Sequence, residues 1–335
     1  MPTPTPFAAD APPALHLGTS AFTAAGWDTS FYPAGMKPAD YLTYYASQFD
    51  SVEVDSTFYR TPSAATVNGW ERKTPAHFVF SVKVPQLITH EKVLAGCDDD
   101  FKYFVSTMEL LGPKLGPMVL QFPYFNRSVF ASAAPFLARL QPFLQQLPPT
   151  HQFALEIRNK NWLDAAFADL LRRHRVALVL QDQSWMPLPD SFAFDPITAP
   201  FTYIRWLGDR QGIEKITKSW DKVVVDRSAQ LTSWVDFCQR ILRRGVTVFA
   251  YANNHYAGHA PATIAQFLEL WNKSKPSSER GEVGAKNPQR GFEPPTAKQE
   301  PKPSRKSASR PIQPPAPAKT KPALRRDPHK KTLFD

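Results

Sequence analysis

The stretch Phe153-Ala-Leu-Glu-Ile-Arg158 carries the pattern that decides the fold. Phe153, Leu155 and Ile157 occupy every second position, which is the period of a β-strand with one apolar face. Between residues 163 and 171 the apolar residues instead recur at three- and four-residue intervals, as in an amphipathic helix. A strand followed directly by a helix predicts a βα unit.

The same unit recurs through the chain. Eight strand-like runs alternate with helical spacing between residues 15 and 271, and about 257 residues suit an α/β protein of the (β/α)8 TIM-barrel type. A doubly wound open sheet is the alternative, but the residues after Gly18 lack the GxGxxG spacing of a dinucleotide-binding turn. The eight runs are Leu15–Ser20, Ser51–Tyr59, Phe78–Val84, Pro117–Phe122, Phe153–Arg158, Ala177–Asp182, Thr202–Trp206 and Val246–Asn253.

The charged residues divide the chain into a neutral body and a basic tail. Residues 1–272 hold 24 Lys and Arg against 24 Asp and Glu, whereas residues 273–335 hold 16 against 6. That tail also has 12 Pro in 63 residues and few apolar side chains, so burial cannot offset its ordering entropy. We therefore predict a disordered segment at 1–14, a barrel domain at 15–272 and a disordered basic tail at 273–335.

Several classes of protein are disfavoured by composition. The two cysteines, Cys97 and Cys238, form no CxxC pair, which argues against a disulfide scaffold or a cysteine-built zinc site. The first residues lack a basic and apolar signal sequence, and no uninterrupted apolar run of about 18 residues occurs. The sequence predicts a soluble cytoplasmic protein with no membrane partner.

Polar residues collect on the inward side of the predicted strands. Side chains alternate between the helix layer and the barrel interior, so the apolar residues of each strand set its phase. Barrel enzymes build their active sites at the carboxyl ends of the strands. The polar residues assigned to that end as catalytic or ligand-binding are Glu53, Asp55, Tyr59, Lys83, Gln121, Glu156, Arg158, Asp182, Arg205, Tyr251 and Asn253.

Four of the candidate residues suit acid–base chemistry. Glu156 and Asp55 are the leading acid–base pair, because neighbouring charges such as Lys83 can separate the pKa values of two carboxyl groups. His90, in the loop after the third strand, is a candidate proton shuttle. The alternative is that these charges form internal ion pairs that hold the barrel together.

The eighth unit, residues 251–262, contains a turn that suits an anion. Gly258 and His259 precede a helix start, and barrels often bind phosphate with the loops after strands seven and eight. Arg205 on the neighbouring strand strengthens that interpretation; the alternative is a tight turn and nothing more. His255 and His259 are four residues apart but fall in this turn, so we predict no metal and no cofactor.

The segments placed in this way carry the motifs of a known family. Over roughly residues 15–272 the chain resembles the domain of unknown function 72 family, the YecE-like proteins, which are similar to TIM barrels in fold. In similar proteins a His stands between the strand-seven Arg and Gly, where this chain has Leu207. The motifs are Leu17-Gly-Thr-Ser20, Val52-Glu-Val-Asp-Ser-Thr-Phe-Tyr-Arg60, Phe80-Ser-Val-Lys83, Gln121-Phe-Pro123, Leu155-Glu-Ile-Arg158, Tyr203-Ile-Arg205 and Asn253-Asn-His255 through Gly258-His-Ala-Pro261.

The resemblance implies no established reaction, so three functions stay open. The first is a metal-independent enzyme, a hydrolase or isomerase that acts on a small anionic or phosphorylated ligand. The second is a protein that binds or processes nucleic acid, with the basic tail attracting phosphates. The third is a barrel that binds a ligand without catalysis.

Overall fold

The computed structural model describes residues 12–274. The predicted N-terminal segment 1–14 and the predicted tail 273–335 lie outside the described residues, apart from residues 12–14 and 273–274. The last helix runs to Ser274, so it continues two residues past the predicted end of the barrel domain. No helix in the described range is both long enough and apolar enough to cross a membrane.

The described chain contains eight parallel strands in the order β1-β8-β7-β6-β5-β4-β3-β2. The two ends of the sheet, β1 and β2, lie side by side, so the sheet curls into a nearly closed barrel. The TIM-barrel prediction is confirmed, and the open doubly wound sheet is wrong. The strands are β1 (Leu15–Thr19), β2 (Ser51–Val54), β3 (Val79–Lys83), β4 (Leu115–Gln121), β5 (Phe153–Glu156), β6 (Ala177–Asp182), β7 (Phe201–Trp206) and β8 (Thr247–Ala252).

Polar side chains cap the N-termini of several of the helices between the strands. Ser63 Oγ accepts a hydrogen bond from the Thr66 N–H (3.2 Å), and Asp164 Oδ1 accepts one from the Phe167 N–H (2.8 Å). Each cap satisfies a backbone donor that the first helical turn leaves unpaired. The α-helices of the described chain are α1 (Trp27–Ser30), α2 (Tyr41–Gln48), α3 (Ala64–Arg72), α4 (Asp98–Met108), α5 (Ala133–Gln145), α6 (Ala165–Arg173), α7 (Arg210–Ile216), α8 (Ser228–Arg243), α9 (Asn254–Ala257) and α10 (Ala260–Ser274).

The strands separate two apolar layers. A large outer cluster, which includes Phe80 and Leu155, fills the space between the strands and the helices. A smaller inner cluster, which includes Val119 and Phe249, fills the interior of the barrel. Residues that are neighbours along a strand therefore belong to different layers, as the alternation in the sequence predicts.

Side chains, and no backbone ladder, join β1 to β2 in the described sheet. The Leu17 N–H donates to Asp50 Oδ1 (3.1 Å), and the Thr19 N–H donates to the Tyr45 hydroxyl (2.8 Å). The same hydroxyl donates to the Ser51 carbonyl oxygen (3.2 Å). We call this junction the seam.

The second strand is shorter than the sequence predicts. β2 ends at Val54, and residues Asp55–Phe58 form a 3-10 turn. The turn is held against β3 because Thr57 Oγ1 accepts a hydrogen bond from the Lys83 N–H (3.0 Å) and lies 2.8 Å from the Lys83 carbonyl oxygen. Tyr59 consequently lies outside the strand and is 72% exposed, so its predicted inward position is wrong.

Replacing Gly18 by alanine should destabilise the fold, because the added Cβ would lie 2.0 Å from the Ser51 carbonyl oxygen across the seam. We expect the free energy of unfolding to fall by about 1–3 kcal/mol, the usual cost of overpacking. Urea unfolding followed by circular dichroism measures this change. Gly69→Ala in α3 is the control, since nothing lies within 4 Å of its added Cβ. Equal stability of the two variants would contradict the close contact at the seam.

Candidate functional site

Arg205 of β7 is the centre of a buried polar network at the carboxyl ends of the strands. Its Nε and Nη2 atoms donate to Glu53 Oε1 at 3.1 and 2.7 Å, and its Nη1 atom donates to Glu156 Oε2 at 2.6 Å. Gln121 Oε1 lies 3.4 Å from Nη1, and Asp55 Oδ1 lies 3.5 Å from Nη2. Protein acceptors therefore surround the guanidinium, which leaves little capacity for an added anion.

Tyrosine hydroxyls support this network from deeper in the barrel. The Tyr203 hydroxyl donates to Glu53 Oε2 (2.6 Å) and lies 2.7 Å from Ser81 Oγ. The Tyr251 hydroxyl is 2.6 Å from Ser51 Oγ. Ser51 begins β2, so the fully buried Tyr251 reaches toward the amino ends of the strands and away from the predicted ligand site.

The two buried glutamates differ in their protonation chemistry. Burial and the nearby Asp55 carboxylate raise the pKa of Glu53, although Arg205 acts in the opposite direction. Burial also acts to raise the pKa of Glu156, but Arg205, Arg158 and Lys83 outweigh it and lower the pKa to about 2. Glu156 is therefore an ionised, paired carboxylate and a weak proton acceptor near neutral pH.

A second group of side chains lies nearer to solvent, in the opening at the carboxyl ends of the strands, which we call the mouth. Lys83 Nζ is 3.2 Å from Asp55 Oδ1, and the Asp55 side chain is 31% exposed. Lys83 Nζ also lies 4.5 Å from the centre of the Phe58 ring. The His90 ring contacts the same phenyl ring edge-on at 4.9 Å, so Phe58 links the lysine to the histidine.

Arg158 completes the group at the mouth. It follows the end of β5, and its Nε atom donates to Glu156 Oε1 at 3.1 Å. The other Glu156 oxygen accepts from Arg205, so this carboxylate joins the exposed cation to the buried one. After burial, the positive charges of Lys83 and Arg158 contribute most to lowering the pKa of His90.

His90 is held as a neutral imidazole. Burial, followed by the charges of Lys83 and Arg158, lowers its pKa to about 4. Its Nδ1 atom is 2.8 Å from Thr89 Oγ1, while Nε2 has no hydrogen-bond partner among residues 12–274. The free nitrogen can donate or accept a proton, depending on the tautomer.

The loop that carries His90 has an unusual backbone. Residues Leu87–Glu91 form a single π-helical turn, a feature that often occurs at functional sites. Val93 and Leu94 follow with φ values of 43° and 64°, a region that residues other than glycine rarely adopt, β-branched ones such as Val93 least of all. Such strain persists where the surrounding structure holds it, which is common at binding sites.

Comparison with known proteins places this geometry in a family. The sequence profile of the family described as "Protein of unknown function DUF72" matches residues 16–287. The chain belongs to the DUF72 family. The family expectation drawn from the sequence motifs is confirmed.

Two curated relatives of this DUF72 chain illustrate the range of similarity. The UPF0759 protein YecE of Escherichia coli strain K12 is 34% identical over 118 residues, which cover 35% of this chain and 41% of YecE. That match therefore spans about two fifths of the relative's length. The UPF0759 protein YunF of Bacillus subtilis strain 168 is 25% identical over 269 residues, which cover 73% of this chain and 92% of YunF.

Crystal structures of other DUF72 proteins have the same fold. A family member from Thermotoga maritima superposes with a TM-score of 0.59 at 25% sequence identity, covering 77% of this chain and 97% of that one. A second, from Enterococcus faecalis, gives a TM-score of 0.54 at 20% identity and covers 78% of this chain and 97% of its own, which supports the fold alone.

The structure does not bring Asp182 to the mouth of the DUF72 barrel. Asp182 Oδ2 accepts hydrogen bonds from Trp234 Nε1 and from the Tyr256 hydroxyl, both at 2.7 Å, so it faces the helix layer. The alternation of β6 explains this orientation, because Asp182 shares its side of the strand with Leu180 of the outer cluster. Gln181 is the inward residue that the sequence analysis missed, and the same alternation could have found it.

The loop after β8 is not arranged as the anion-binding turn that the sequence predicted, because its backbone N–H groups are paired within the loop. Asn253 Oδ1 accepts from the His255 N–H (3.0 Å), and Asn254 Oδ1 accepts from the Ala260 N–H (2.9 Å). The Gly258 N–H donates to the Asn254 carbonyl oxygen (2.7 Å). Gly258 has φ 111°, and a Cβ there would lie 2.6 Å from a backbone oxygen, so the tight-turn alternative describes this loop.

His259 also lies apart from the mouth. Its Nε2 atom is 3.3 Å from Ser30 Oγ, and its ring meets the edge of Trp27 at 6.1 Å. The side chain is therefore buried between α1 and α10, and that burial lowers its pKa to about 4. Within the described part of the chain, no group of three or more His, Cys, Asp and Glu side chains is arranged to hold a metal ion.

Replacing Arg205 by methionine should destabilise the barrel strongly. The change leaves Glu53 and Glu156 buried without their common partner, which costs about 3–5 kcal/mol in comparable buried pairs. Arg240→Met is the control, because its pair with Asp190 is exposed and such pairs contribute about 0–1 kcal/mol. Chemical unfolding of the two variants decides the question, and similar small losses in both would show that the network does not stabilise the fold.

Proposed function

We propose that the mouth of the barrel binds a small anionic molecule and catalyses a proton transfer on it, as a metal-independent hydrolase or isomerase. One observation carries the proposal: the cations Lys83 and Arg158 lie with His90 at the carboxyl ends of the strands, where Lys83 and His90 contact the same phenyl ring. Barrel enzymes carry out their chemistry at this face.

Lys83 and Arg158 are the cations available to an anion. The terminal nitrogens of Arg158 have no hydrogen-bond partner among the described residues, since only its Nε contacts Glu156. The N–H groups of Arg205 instead donate hydrogen bonds to the buried glutamates. In this proposal Arg205 positions the network and does not contact the ligand, whereas Arg158 keeps the ligand-binding role predicted for both arginines.

His90 and Asp55 are the groups placed to exchange a proton with the ligand. The imidazole is neutral at pH 7 and its Nε2 has no partner among the described residues, so it can act as a general base once a bound anion raises its pKa. Asp55 reaches solvent and contacts Lys83. Glu156 leaves the acid–base pair predicted from the sequence, because two arginines hold it ionised.

Inorganic sulfate should bind at the mouth and raise the pKa of His90 from about 4, since its charge offsets Lys83 and Arg158. By linkage, sulfate should bind more tightly as the pH falls from about 6 toward 4, while sulfate itself stays fully ionised. Histidine side-chain NMR measures the pKa and the affinity together. Lys83→Met and Arg158→Met should each weaken binding about 10-fold, equivalent to about 1.4 kcal/mol.

Lys102→Met is the matched control for these variants, because Lys102 is an exposed lysine of α4 away from the mouth. It should bind sulfate as the unmodified protein does. A His90 signal that sulfate does not move, or equal affinity in all three variants, would contradict the anion site.

Catalysis needs a separate test from binding. Native mass spectrometry of protein purified gently from its own host should detect a small anion that Arg158→Met loses. Incubation of that complex in D2O should then exchange or convert the retained molecule, and His90→Gln should retain it unchanged. Retention without exchange or conversion in the unmodified protein would make this a ligand-binding barrel.

A second candidate function is attraction to nucleic acid through the basic tail. The observation that favours it is the segregation of charge, with 16 Lys and Arg against 6 Asp and Glu in residues 273–335 and an even balance before them. Cationic segments bind nucleic-acid phosphates by releasing condensed counterions, without reading the base sequence.

Short single-stranded DNA should therefore bind the full chain with an affinity that falls steeply between about 50 and 200 mM salt. A chain that ends at Ser274, where α10 ends, should lose that binding and keep the barrel fold. Fluorescence anisotropy measures both affinities. Undiminished binding by the shortened chain would remove the tail from this function.

A further inference from the structure

Two glutamines at the end of β6, Gln181 within the strand and Gln183 directly after its last residue, have buried side-chain carbonyl oxygens with no hydrogen-bond partner among residues 12–274. Gln181 donates from Nε2 to the Ile157 carbonyl oxygen (3.0 Å), which fixes the orientation of its amide. Within the described part of the chain, its Oε1 atom is then left without a partner, and so is the Oε1 atom of Gln183. The side chain of Gln181 is almost completely buried.

These two oxygens belong to the same end of the barrel as the charged network. Gln181 is the register partner of Arg205 on the neighbouring strand, and both face inward. A buried acceptor without a donor lowers the stability of the fold, and most buried polar groups therefore have a partner. A bound molecule that brings hydrogen-bond donors would satisfy both atoms.

We propose that the molecule bound at the mouth is a sugar phosphate. This inference rests on the proposed function, because Lys83 and Arg158 hold the phosphate group in it. Carbonyl oxygens only accept hydrogen bonds, so Gln181 and Gln183 select a ligand that carries hydroxyl groups. A phosphate on a hydroxylated carbon skeleton matches both the cations and the acceptors.

An open cleft of about 590 Å³ next to the mouth gives such a ligand room to extend. The cleft is lined by Lys160, which follows Arg158 in the loop after β5. It is also lined by Ser184 and Trp185, which follow Gln183 in the loop after β6. Both loops therefore border the mouth and the cleft. Trp185 is 45% exposed there and offers an apolar face to a sugar ring.

The glutamines are tested by isothermal titration at pH 8 with two probes, glucose 6-phosphate and inorganic phosphate, both largely dianions. The sugar phosphate should bind the unmodified protein about 10-fold more tightly than phosphate does. Gln181→Met and Gln183→Met should each weaken glucose 6-phosphate about 3- to 10-fold and leave phosphate unchanged, the effect of one neutral hydrogen bond. Gln145→Met, on the exposed surface of α5, is the control and should change neither.

The cleft is tested with Trp185→Ala, which should weaken the sugar phosphate about 5-fold and leave inorganic phosphate unchanged. Tyr103→Ala removes an exposed aromatic ring from α4 and should have no effect on either probe. Phenyl phosphate, which has a ring but no hydroxyl groups, should bind less tightly than glucose 6-phosphate, and Gln181→Met and Gln183→Met should leave its affinity unchanged.

The outcomes separate this inference from the anion site on which it depends. Inorganic phosphate that binds but is not exceeded by glucose 6-phosphate, with unchanged glutamine variants, would overturn the sugar phosphate and leave the anion site standing. Tighter binding of phenyl phosphate than of glucose 6-phosphate would assign the cleft to an aromatic ligand and also overturn it. Failure of all three probes, with an unmoved His90 signal in sulfate, would overturn both proposals.

Discussion

The burial of one charge, that of Arg205, is the constraint on which the structure at the carboxyl ends of the strands depends. A guanidinium removed from water needs acceptors at each of its donors, and Glu53 and Glu156 supply most of them. These carboxylates come from β2 and β5, so the pairs join β7 to strands that are not its neighbours in the sheet. Nearer to the mouth, Lys83 pairs with Asp55 and Arg158 pairs with Glu156, and these two cations balance the remaining negative charge of the network.

The network therefore has two depths with different chemistry. The inner groups exchange hydrogen bonds with one another and are closed to a ligand, whereas Arg158 and His90 each have ring or terminal nitrogens with no partner among the described residues. Burial and the positive charges beside His90 keep its imidazole neutral, and a strained backbone follows it in the same loop. The buried Arg205 network and the side chains at the mouth therefore belong to one connected set of charges.

Strand periodicity in the sequence was sufficient to find the barrel and to assign Glu53, Glu156 and Arg205 to its interior, because alternation is a local property of each strand. It did not predict where a strand stops. β2 gives way to a turn because Thr57 binds the backbone of Lys83, 26 residues away, and no local pattern encodes that contact. It also did not show that loop side chains such as those of Asn253 and Asn254 would satisfy their own backbone donors.

The seam between β1 and β2 has a mechanical consequence. Elsewhere in the barrel, separating two strands breaks a ladder of backbone hydrogen bonds, but here the strands meet through the Tyr45 hydroxyl and the Asp50 carboxylate. The ring thus has one joint that side-chain rotation alone can loosen. Thermal breathing of the barrel should concentrate at this joint, and the amide protons of Leu17 and Thr19 are the ones that would exchange with solvent when it opens.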